Sequence, residues 1–180
     1  MFLDRDGVLN ETDLDERGVP HPPASLAELR IADGAMEACR SLRAAGYVLV
    51  VVTNQPDVAR GTVERRTVDA INDHIRRRLE VDDVRVCFHD APDGCDCRKP
   101  APGLLTTACH DLGLDPTSSF MVGDRGVDIE AGRRAGCRSI LIDRPYSAVD
   151  GAAPSFTTDS LLAAAAWILH DAASAEEEGA

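Results

Sequence analysis

Two aspartates on alternate residues, followed by a glycine, are the part of this sequence best suited to chemistry. Asp4 and Asp6 end a short apolar run at Phe2-Leu3, and Gly7 follows them directly. Side chains alternate across an extended strand, so the two carboxylates would diverge unless the chain turned, and Gly7 permits that turn. Such a pair at a strand end suits a nucleophile beside an acid/base, with a hard cation between them. A surface turn is the competing interpretation, since Asp and Gly are common in turns.

Further along the chain, polar residues and a lysine occupy places suited to binding an anion. Thr53, Asn54 and Gln55 come at the end of an apolar run and offer hydrogen bonds to phosphate oxygens. Lys99 lies just ahead of a predicted helix N-terminus, a favourable place for an anion. Each signal is weak alone, because polar strand ends and solvated lysines are common. In combination with the aspartates they predict a phosphate site.

A second pair of carboxylates follows another predicted strand. Asp124 and Asp128 come after the apolar run Phe120–Val122, at a turn into a helix. We interpret Asp124 as a metal ligand and Asp128 as its support. Asp128 could equally be an acidic residue favoured by the helix dipole.

Strand-like and helix-like segments alternate along the chain, and their order predicts the fold. Beyond the opening run, apolar segments predict strands at Tyr47–Thr53, Val84–Cys87, Phe120–Val122 and Ser139–Ile142. Caps and stop signals predict helices at 34–45 (with Asp33 as the cap), 62–78 (with Thr62 as the cap), 102–113, 127–135 and 161–171. This alternation predicts a doubly wound, mainly parallel α/β sheet, which binds ligands beyond the carboxyl ends of its strands. Asp4, Thr53 and Asp124 all fall at such ends, which argues against the surface-turn interpretation.

Composition predicts one domain and excludes several classes of partner. The 180 residues can bury a core, which we place at 1–172, with an acidic, disordered tail at 173–180. No apolar run approaches the ~20 residues of a membrane span, and no secretory signal is visible, so we expect a cytoplasmic protein. We also expect it to be a monomer. The net charge of −12 disfavours nucleic acid and anionic membranes but leaves room for a small phosphorylated metabolite. The Pro-rich segment Asn10–Ile31 is predicted as a long loop or flap over the site.

Cysteine and histidine residues form a separate candidate metal site. Cys87, His89, Cys95 and Cys97 supply a complete tetrahedral ligand set for zinc. Four protein ligands leave no position for substrate, so we expect a structural zinc that fixes the loop leading into Lys99. A redox pair formed by Cys95 and Cys97 is the alternative.

Taken in order, these pieces resemble the four motifs of the haloacid dehalogenase-type (HAD) phosphohydrolases: Asp-x-Asp, a Ser/Thr, a Lys and Gly-Asp-x-x-x-Asp. The match extends from Asp4 to Asp128. The resemblance implies a Rossmann-like domain without an inserted cap, a catalytic Mg²⁺ and a phosphoaspartate intermediate. It also implies that Asp4 is the nucleophile, and that Asp6 protonates the leaving oxygen and then deprotonates the attacking water.

The same resemblance implies roles for the other residues. Asp4, the main-chain carbonyl of Asp6 and Asp124 would hold magnesium, with Asp128 behind them. Thr53, Asn54 and Lys99 would hold the transferred phosphoryl group. The residues expected to contact substrate are Asn10, Thr53, Asn54, Gln55, Arg60, Arg98, Lys99 and Arg125.

The zinc-like loop narrows the resemblance. Cys-x-His…Cys-x-Cys-Arg-Lys-Pro, with Val-Thr-Asn-Gln and Ala59-Arg60-Gly61, is similar to the D-glycero-D-manno-heptose 1,7-bisphosphate phosphatases, which implies removal of the 7-phosphate. Histidinol-phosphate phosphatases carry a similar loop, so histidinol phosphate or another sugar phosphate is the alternative substrate. A zinc-stabilised binding module on a decayed phosphatase fold is an alternative of another class. The chain departs from the heptose family at two segments, Pro56-Asp57-Val58 and Gly18-Val19-Pro20. Both should lie where the leaving group binds, so the departures bear on the identity of the substrate and not on the reaction.

Overall fold

Six parallel strands form the central sheet in the part of the chain that this computed structural model describes, residues 1–148, 151 and 153–178. All strands of the described part, including two outside the central sheet, are β1 (Phe2–Leu3), β2 (Asp13–Leu14), β3 (Pro20–His21), β4 (Val50–Asn54), β5 (Asp83–Cys87), β6 (Phe120–Gly123), β7 (Arg138–Ile142) and β8 (Phe156–Thr158). The α-helices are α1 (Ala35–Ala44), α2 (Arg65–Leu79), α3 (Gly103–Leu112), α4 (Gly126–Ala135) and α5 (Leu161–Glu178). The strand order β5-β4-β1-β6-β7-β8, parallel throughout, confirms the predicted α/β class.

Helices cover both faces of the sheet because alternate strand residues point to opposite sides. Phe2, Val50 and Met121 pack on the face that carries α3 and α4. Leu3 and Val51 pack on the opposite face, with α1, α2 and α5. Since the sheet is buried on both faces, its central strands carry continuous apolar runs rather than alternating ones.

Strand β1 marks the point where the winding of the sheet reverses. It pairs with β4 on one side and with β6 on the other. The chain winds outward from β1 to β5, returns to β6 and then winds outward to β8. Ligands bind at the carboxyl ends of strands beside such a switch point, and Asp4, Asn54 and Asp124 lie at or directly after the ends of β1, β4 and β6.

Several predicted boundaries are wrong by a few residues. Helix α1 is preceded by Gly34, in a left-handed conformation (φ 75°), instead of being capped by the side chain of Asp33. Helix α2 begins at Arg65 because the Thr62 hydroxyl donates to the Asp57 carbonyl in the preceding loop. Strand β4 begins at Val50, later than the predicted Tyr47.

Three short strands and one helix extension were not predicted. Strands β2 and β3 pair antiparallel within the segment 10–31, and β8 adds an edge strand beside β7. Helix α5 continues beyond residue 171 to Glu178, through alanine and glutamate residues with high helix propensity. The helix therefore enters the segment predicted to be a disordered tail, whose last residues, 179–180, lie outside the described part. The domain boundary at residue 172 stays a prediction. Among the described helices, none combines the length and apolarity needed to cross a membrane.

Candidate active site

Lys99 lies at the centre of the carboxylates that follow β1 and β6. Its ammonium nitrogen Nζ is 2.7 Å from Asp4 Oδ1, 2.7 Å from Asp128 Oδ1 and 2.8 Å from the Val52 carbonyl oxygen. Lys99 is buried and is the only lysine in the sequence. Burial by itself would lower the pKa of Lys99, but the charges of Asp128 and Asp4 raise it above its ordinary value. Lys99 is therefore a fixed positive charge beside Asp4.

Three buried carboxylates, from Asp4, Asp124 and Asp128, offer oxygen atoms within 4.8 Å of one another. Burial raises the pKa of Asp124 to about 8, and the charges of Asp4 and Asp128 add to this shift. Burial likewise raises the pKa of Asp4 to about 6, although Lys99 opposes the shift. Clustered carboxylates that are costly to ionise suit the binding of a cation between them.

The bonding of these carboxylates separates a candidate ligand from its support. Both oxygens of Asp128 accept hydrogen bonds, from Lys99 Nζ and from the Arg125 main-chain N–H. Asp124 Oδ2 accepts one from the Tyr146 hydroxyl, whereas Asp124 Oδ1 is buried and has no partner among the described residues. An unpartnered buried oxygen beside two more carboxylates fits a hard divalent cation such as Mg²⁺, which prefers oxygen ligands.

The Asp6 carboxylate is held by hydrogen-bond donors from three neighbouring side chains. Its carboxylate pairs with the buried Arg5, and it accepts hydrogen bonds from Asn10 Nδ2 at 3.0 Å and Gln55 Nε2 at 2.8 Å. Asp6 lines the same cavity as Asp4. Asn10, predicted to contact substrate, is fully buried and does not line that cavity; it holds Asp6 instead, because the turn after β1 folds residue 10 back onto residue 6.

Glycines allow the two strand-end turns to approach closely. Gly7 has φ +85°, and a Cβ atom there would lie 2.1 Å from Asp124 Oδ2. A Cβ atom on Gly123 would lie 2.1 Å from the Cβ of Asp128. Any larger residue at either position would displace a carboxylate of the site.

The polar residues at the end of β4 hold other residues of the site in place, and two of them also line the cavity. Gln55 lines the cavity and bridges Asp6 and the buried Thr53 hydroxyl, which is 2.9 Å from Gln55 Nε2. Asn54 also lines the cavity, but its side-chain oxygen and nitrogen bond the main-chain N–H and carbonyl of Lys99, at 3.1 and 3.0 Å. Asn54 thus fixes the segment that carries Lys99.

A cavity of about 650 Å³ opens over these groups. Arg60, Arg98 and Arg125 line it; their contact with substrate stays a prediction. Arg60 pairs with both oxygens of Asp90 at 2.7 Å, whereas Arg125 has no ion-pair partner in the described part of the chain. Residues 19–22, around β3, form part of the opposite wall.

The predicted zinc ligands come together in space. The sulfur atoms of Cys87, Cys95 and Cys97 lie 3.2–3.7 Å apart, and His89 Nδ1 is 3.2 Å from the Cys97 sulfur. Ligands at about 2.3 Å from a tetrahedral zinc lie about 3.8 Å from one another. These cysteines are free, and all four side chains converge, so the geometry favours a metal site over a redox pair.

This cluster is packed directly against the segment that carries Lys99. The Gly103 main-chain N–H bonds the Asp96 carbonyl at 2.9 Å, and a Cβ atom on Gly103 would lie 2.3 Å from that oxygen. The loop between Cys97 and α3, which contains Lys99, is therefore fixed at both ends.

Sequence reasoning missed the turn after β7, residues 144–147. Arg144 donates to the Gly7 carbonyl, Ser147 to the Asp124 carbonyl, and the Tyr146 hydroxyl to Asp124 Oδ2. The signal was available, because this turn follows a strand at the same edge of the sheet as Asp4 and Asp124.

Comparisons with known proteins agree with this geometry. A family model described as HAD-hydrolase-like matches residues 96–164. The chain is 35% identical over 153 residues to D-glycero-beta-D-manno-heptose-1,7-bisphosphate 7-phosphatase of Pasteurella multocida, covering 79% of each chain. It is 33% identical over 177 residues to the enzyme of the same name from Yersinia pestis, covering 89% of this chain and 90% of the relative. In structure it is similar to D,D-heptose 1,7-bisphosphate phosphatase from B. bronchiseptica complexed with magnesium and phosphate (TM-score 0.80, 30% identity, 95% of this chain and 98% of that chain).

Proposed function

The chain belongs to the HAD-like phosphatases, and on that premise we propose that it removes the 7-phosphate of D-glycero-D-manno-heptose 1,7-bisphosphate through a phosphoaspartate on Asp4. The observation that carries the proposal is the group of carboxylates around Lys99, with Asp124 Oδ1 unpartnered among the described residues. A binding module would need no buried nucleophile of this kind.

The reaction begins at Asp4. Lys99 holds Asp4 Oδ1, which leaves Oδ2 to attack phosphorus while the ester P–O bond breaks. Asp6 gives its proton to the leaving oxygen, then takes a proton from the water that hydrolyses the phosphoaspartate. For this role Asp6 exchanges one of its present donors for the leaving oxygen. Gln55, which bonds Asp6 and also lines the cavity, is the donor placed for that exchange.

The residues present fit magnesium. Asp4, Asp124 and the main-chain carbonyl of Asp6 would hold it, while Asp128 keeps Lys99 and the Arg125 main chain in place. When bound, the ion would neutralise charge on Asp4 and on the phosphoryl oxygens. Lys99 adds a second positive charge beside Asp4, while the buried Thr53 hydroxyl, which does not line the cavity, accepts from Gln55 and holds it beside Asp6.

The arginines of the cavity support our proposal of a substrate with two phosphates over histidinol phosphate. Arg60, Arg98 and Arg125 line the cavity beyond Lys99, and Arg125 has no acidic partner in the described structure. A second phosphate beside Arg125 would gain a charge-assisted hydrogen bond that the protonated amine of histidinol phosphate cannot make. A zinc ion on Cys87, His89, Cys95 and Cys97 would keep Arg98 and Lys99 in place.

The test is phosphate release from a panel of phosphorylated metabolites with added Mg²⁺. We expect kcat/KM to be highest for heptose 1,7-bisphosphate, and Asp4→Asn to abolish turnover. Asp73→Asn is the matched control, because Asp73 is exposed on α2. Comparable or faster turnover of histidinol phosphate would contradict the substrate, and an active Asp4→Asn protein would contradict the mechanism.

A further inference from the structure

The turn at residues 144–147 joins the two strand-end turns that carry the candidate magnesium ligands. It is closed by its own hydrogen bonds, from the Ser147 N–H to the Arg144 carbonyl at 2.9 Å and from the Arg144 N–H to Ser147 Oγ at 3.0 Å. Arg144 then donates to the Gly7 carbonyl at 3.1 and 2.9 Å. Ser147 donates to the Asp124 carbonyl. The turn is thus fixed to both neighbours through main-chain oxygens.

Tyr146 differs from its neighbours in the turn because it contacts a side chain of the site. Its hydroxyl lies 2.7 Å from Asp124 Oδ2 and 3.0 Å from Thr12 Oγ1. A phenol has a single hydrogen, so when Tyr146 donates to the Asp124 carboxylate, Thr12 must donate to Tyr146. The hydroxyl is therefore held from two sides.

This bond decides which oxygen of Asp124 is available. Oδ2 is taken by Tyr146, and a Cβ atom on Gly7 would lie 2.1 Å from that same oxygen, so this side of the carboxylate is enclosed. Oδ1 is buried and has no partner among the residues described. A carboxylate rotates freely unless one oxygen is fixed, and fixing Oδ2 presents Oδ1 to the space shared with Asp4.

We propose that Tyr146 is a positioning residue for the divalent cation, which orients the Asp124 carboxylate through Oδ2 so that Oδ1 is free to bind the ion. The inference rests on the proposed function, because it takes Asp124 as a magnesium ligand. Outer partners that orient a metal ligand contribute about 10- to 100-fold to metal affinity. Tyr146 contributes in this way, although it follows a different strand from the ligands.

The experiment titrates Mg²⁺ alone into the zinc-containing protein without substrate and measures Kd by calorimetry. We expect Tyr146→Phe to raise Kd by ~10-fold or more. Saturating Mg²⁺ should return its kcat to near the wild-type value. Tyr47→Phe is the matched control, since it also deletes a tyrosine hydroxyl, but from a ring that packs against Phe120 away from the site. It should leave Kd unchanged.

Two further variants separate the possible failures. Asp124→Asn should abolish Mg²⁺ binding. If it binds Mg²⁺ as the wild type does, or if the wild type binds none, the magnesium site of the proposed function is wrong and the inference falls with it. If Asp124→Asn fails to bind but Tyr146→Phe binds like the wild type, only the inference is overturned.

Ser147→Ala tests whether the turn acts merely by holding the fold. It deletes the bonds of Ser147 Oγ to the Asp124 carbonyl and from the Arg144 N–H, but keeps the Tyr146 hydroxyl, so we expect a lower Tm with a smaller change in Kd. Equal losses of affinity in Ser147→Ala and Tyr146→Phe would overturn the role of the hydroxyl. So would a Tyr146→Phe protein that is unfolded before Mg²⁺ is added.

Discussion

Replacing Gly7 with alanine tests the close approach of the β1 turn to Asp124. Gly7 has φ +85°, and an added Cβ atom would lie 2.1 Å from Asp124 Oδ2 and 2.6 Å from the Tyr146 hydroxyl. Gly46 offers a matched control, because its φ is +88° and an added Cβ atom would meet nothing within 4 Å. Both substitutions impose the same backbone strain, and only Gly7→Ala disturbs the site.

The expected magnitudes follow from this difference. A left-handed conformation costs a residue with a Cβ atom about 1–2 kcal/mol, so each variant should lose about that much unfolding free energy. In Gly7→Ala the carboxylate must also withdraw by about 1 Å to reach the 3.0 Å minimum of real contacts, and a displacement of that size can cost catalysis about 100-fold. We therefore expect kcat/KM to fall by about 100-fold in Gly7→Ala and to stay unchanged in Gly46→Ala.

Urea denaturation and phosphate release with saturating Mg²⁺ would measure the two effects separately. Both variants should lose about 1–2 kcal/mol of unfolding free energy, and only Gly7→Ala should lose about 100-fold in kcat/KM. If the two variants have similar activity, the contact between the β1 turn and Asp124 does not set the geometry of the site.

The remaining predictions concern the charges and metals of the site. Lys99→Ala should lower kcat/KM by ~100-fold or more, and Lys99→Arg should not restore it, because the larger planar guanidinium does not match a buried site that surrounds one ammonium nitrogen with three acceptors at 2.7–2.8 Å; a near-wild-type rate in either variant would move the phosphate site elsewhere. Metal analysis should find about one zinc per chain, lost in Cys97→Ser together with thermal stability but retained in Cys109→Ser, and a zinc-free protein of full stability would contradict the cluster. Burial raises the pKa of Asp124 from 3.8 to about 8, so the stability that this group contributes to the magnesium-free protein is present below about pH 4 and is lost as pH rises towards 8. Added Mg²⁺ should therefore raise Tm more at pH 8 than at pH 5.5, and an equal rise at both would exclude proton competition at this carboxylate.

The sequence predicted the parts of the site that depend on strand ends. Asp4 and Asp124 follow apolar runs that were predicted as strands, and parallel strands bring their carboxyl ends to one edge of the sheet. The zinc ligands could also be predicted from the sequence, because Cys87, His89, Cys95 and Cys97 lie within one short segment. These features depend on local pattern and on a general rule of α/β topology.

The contacts between loops could not be predicted in this way. Topology places the turn that carries Tyr146 at the same edge of the sheet as Asp124, but no local propensity encodes that this side chain contacts Asp124 and Thr12. Asn10 was assigned to substrate for a related reason: its burial against Asp6 depends on a turn whose path the sequence alone did not reveal. Strand β8 is short and only partly buried, so it gave no clear period.

Trapping the covalent intermediate would test the central claim most directly. Substrate with an isotopic label in its phosphoryl group would be mixed with the Mg²⁺-loaded protein, and the reaction would be quenched in acid within the first turnover. Peptide mass spectrometry would then locate the label, with Asp4→Asn treated in parallel. We predict a labelled phosphoryl group on Asp4 in the wild-type protein and none in a folded, inactive Asp4→Asn protein. Steady turnover without label on Asp4, or label on another residue, would contradict the account.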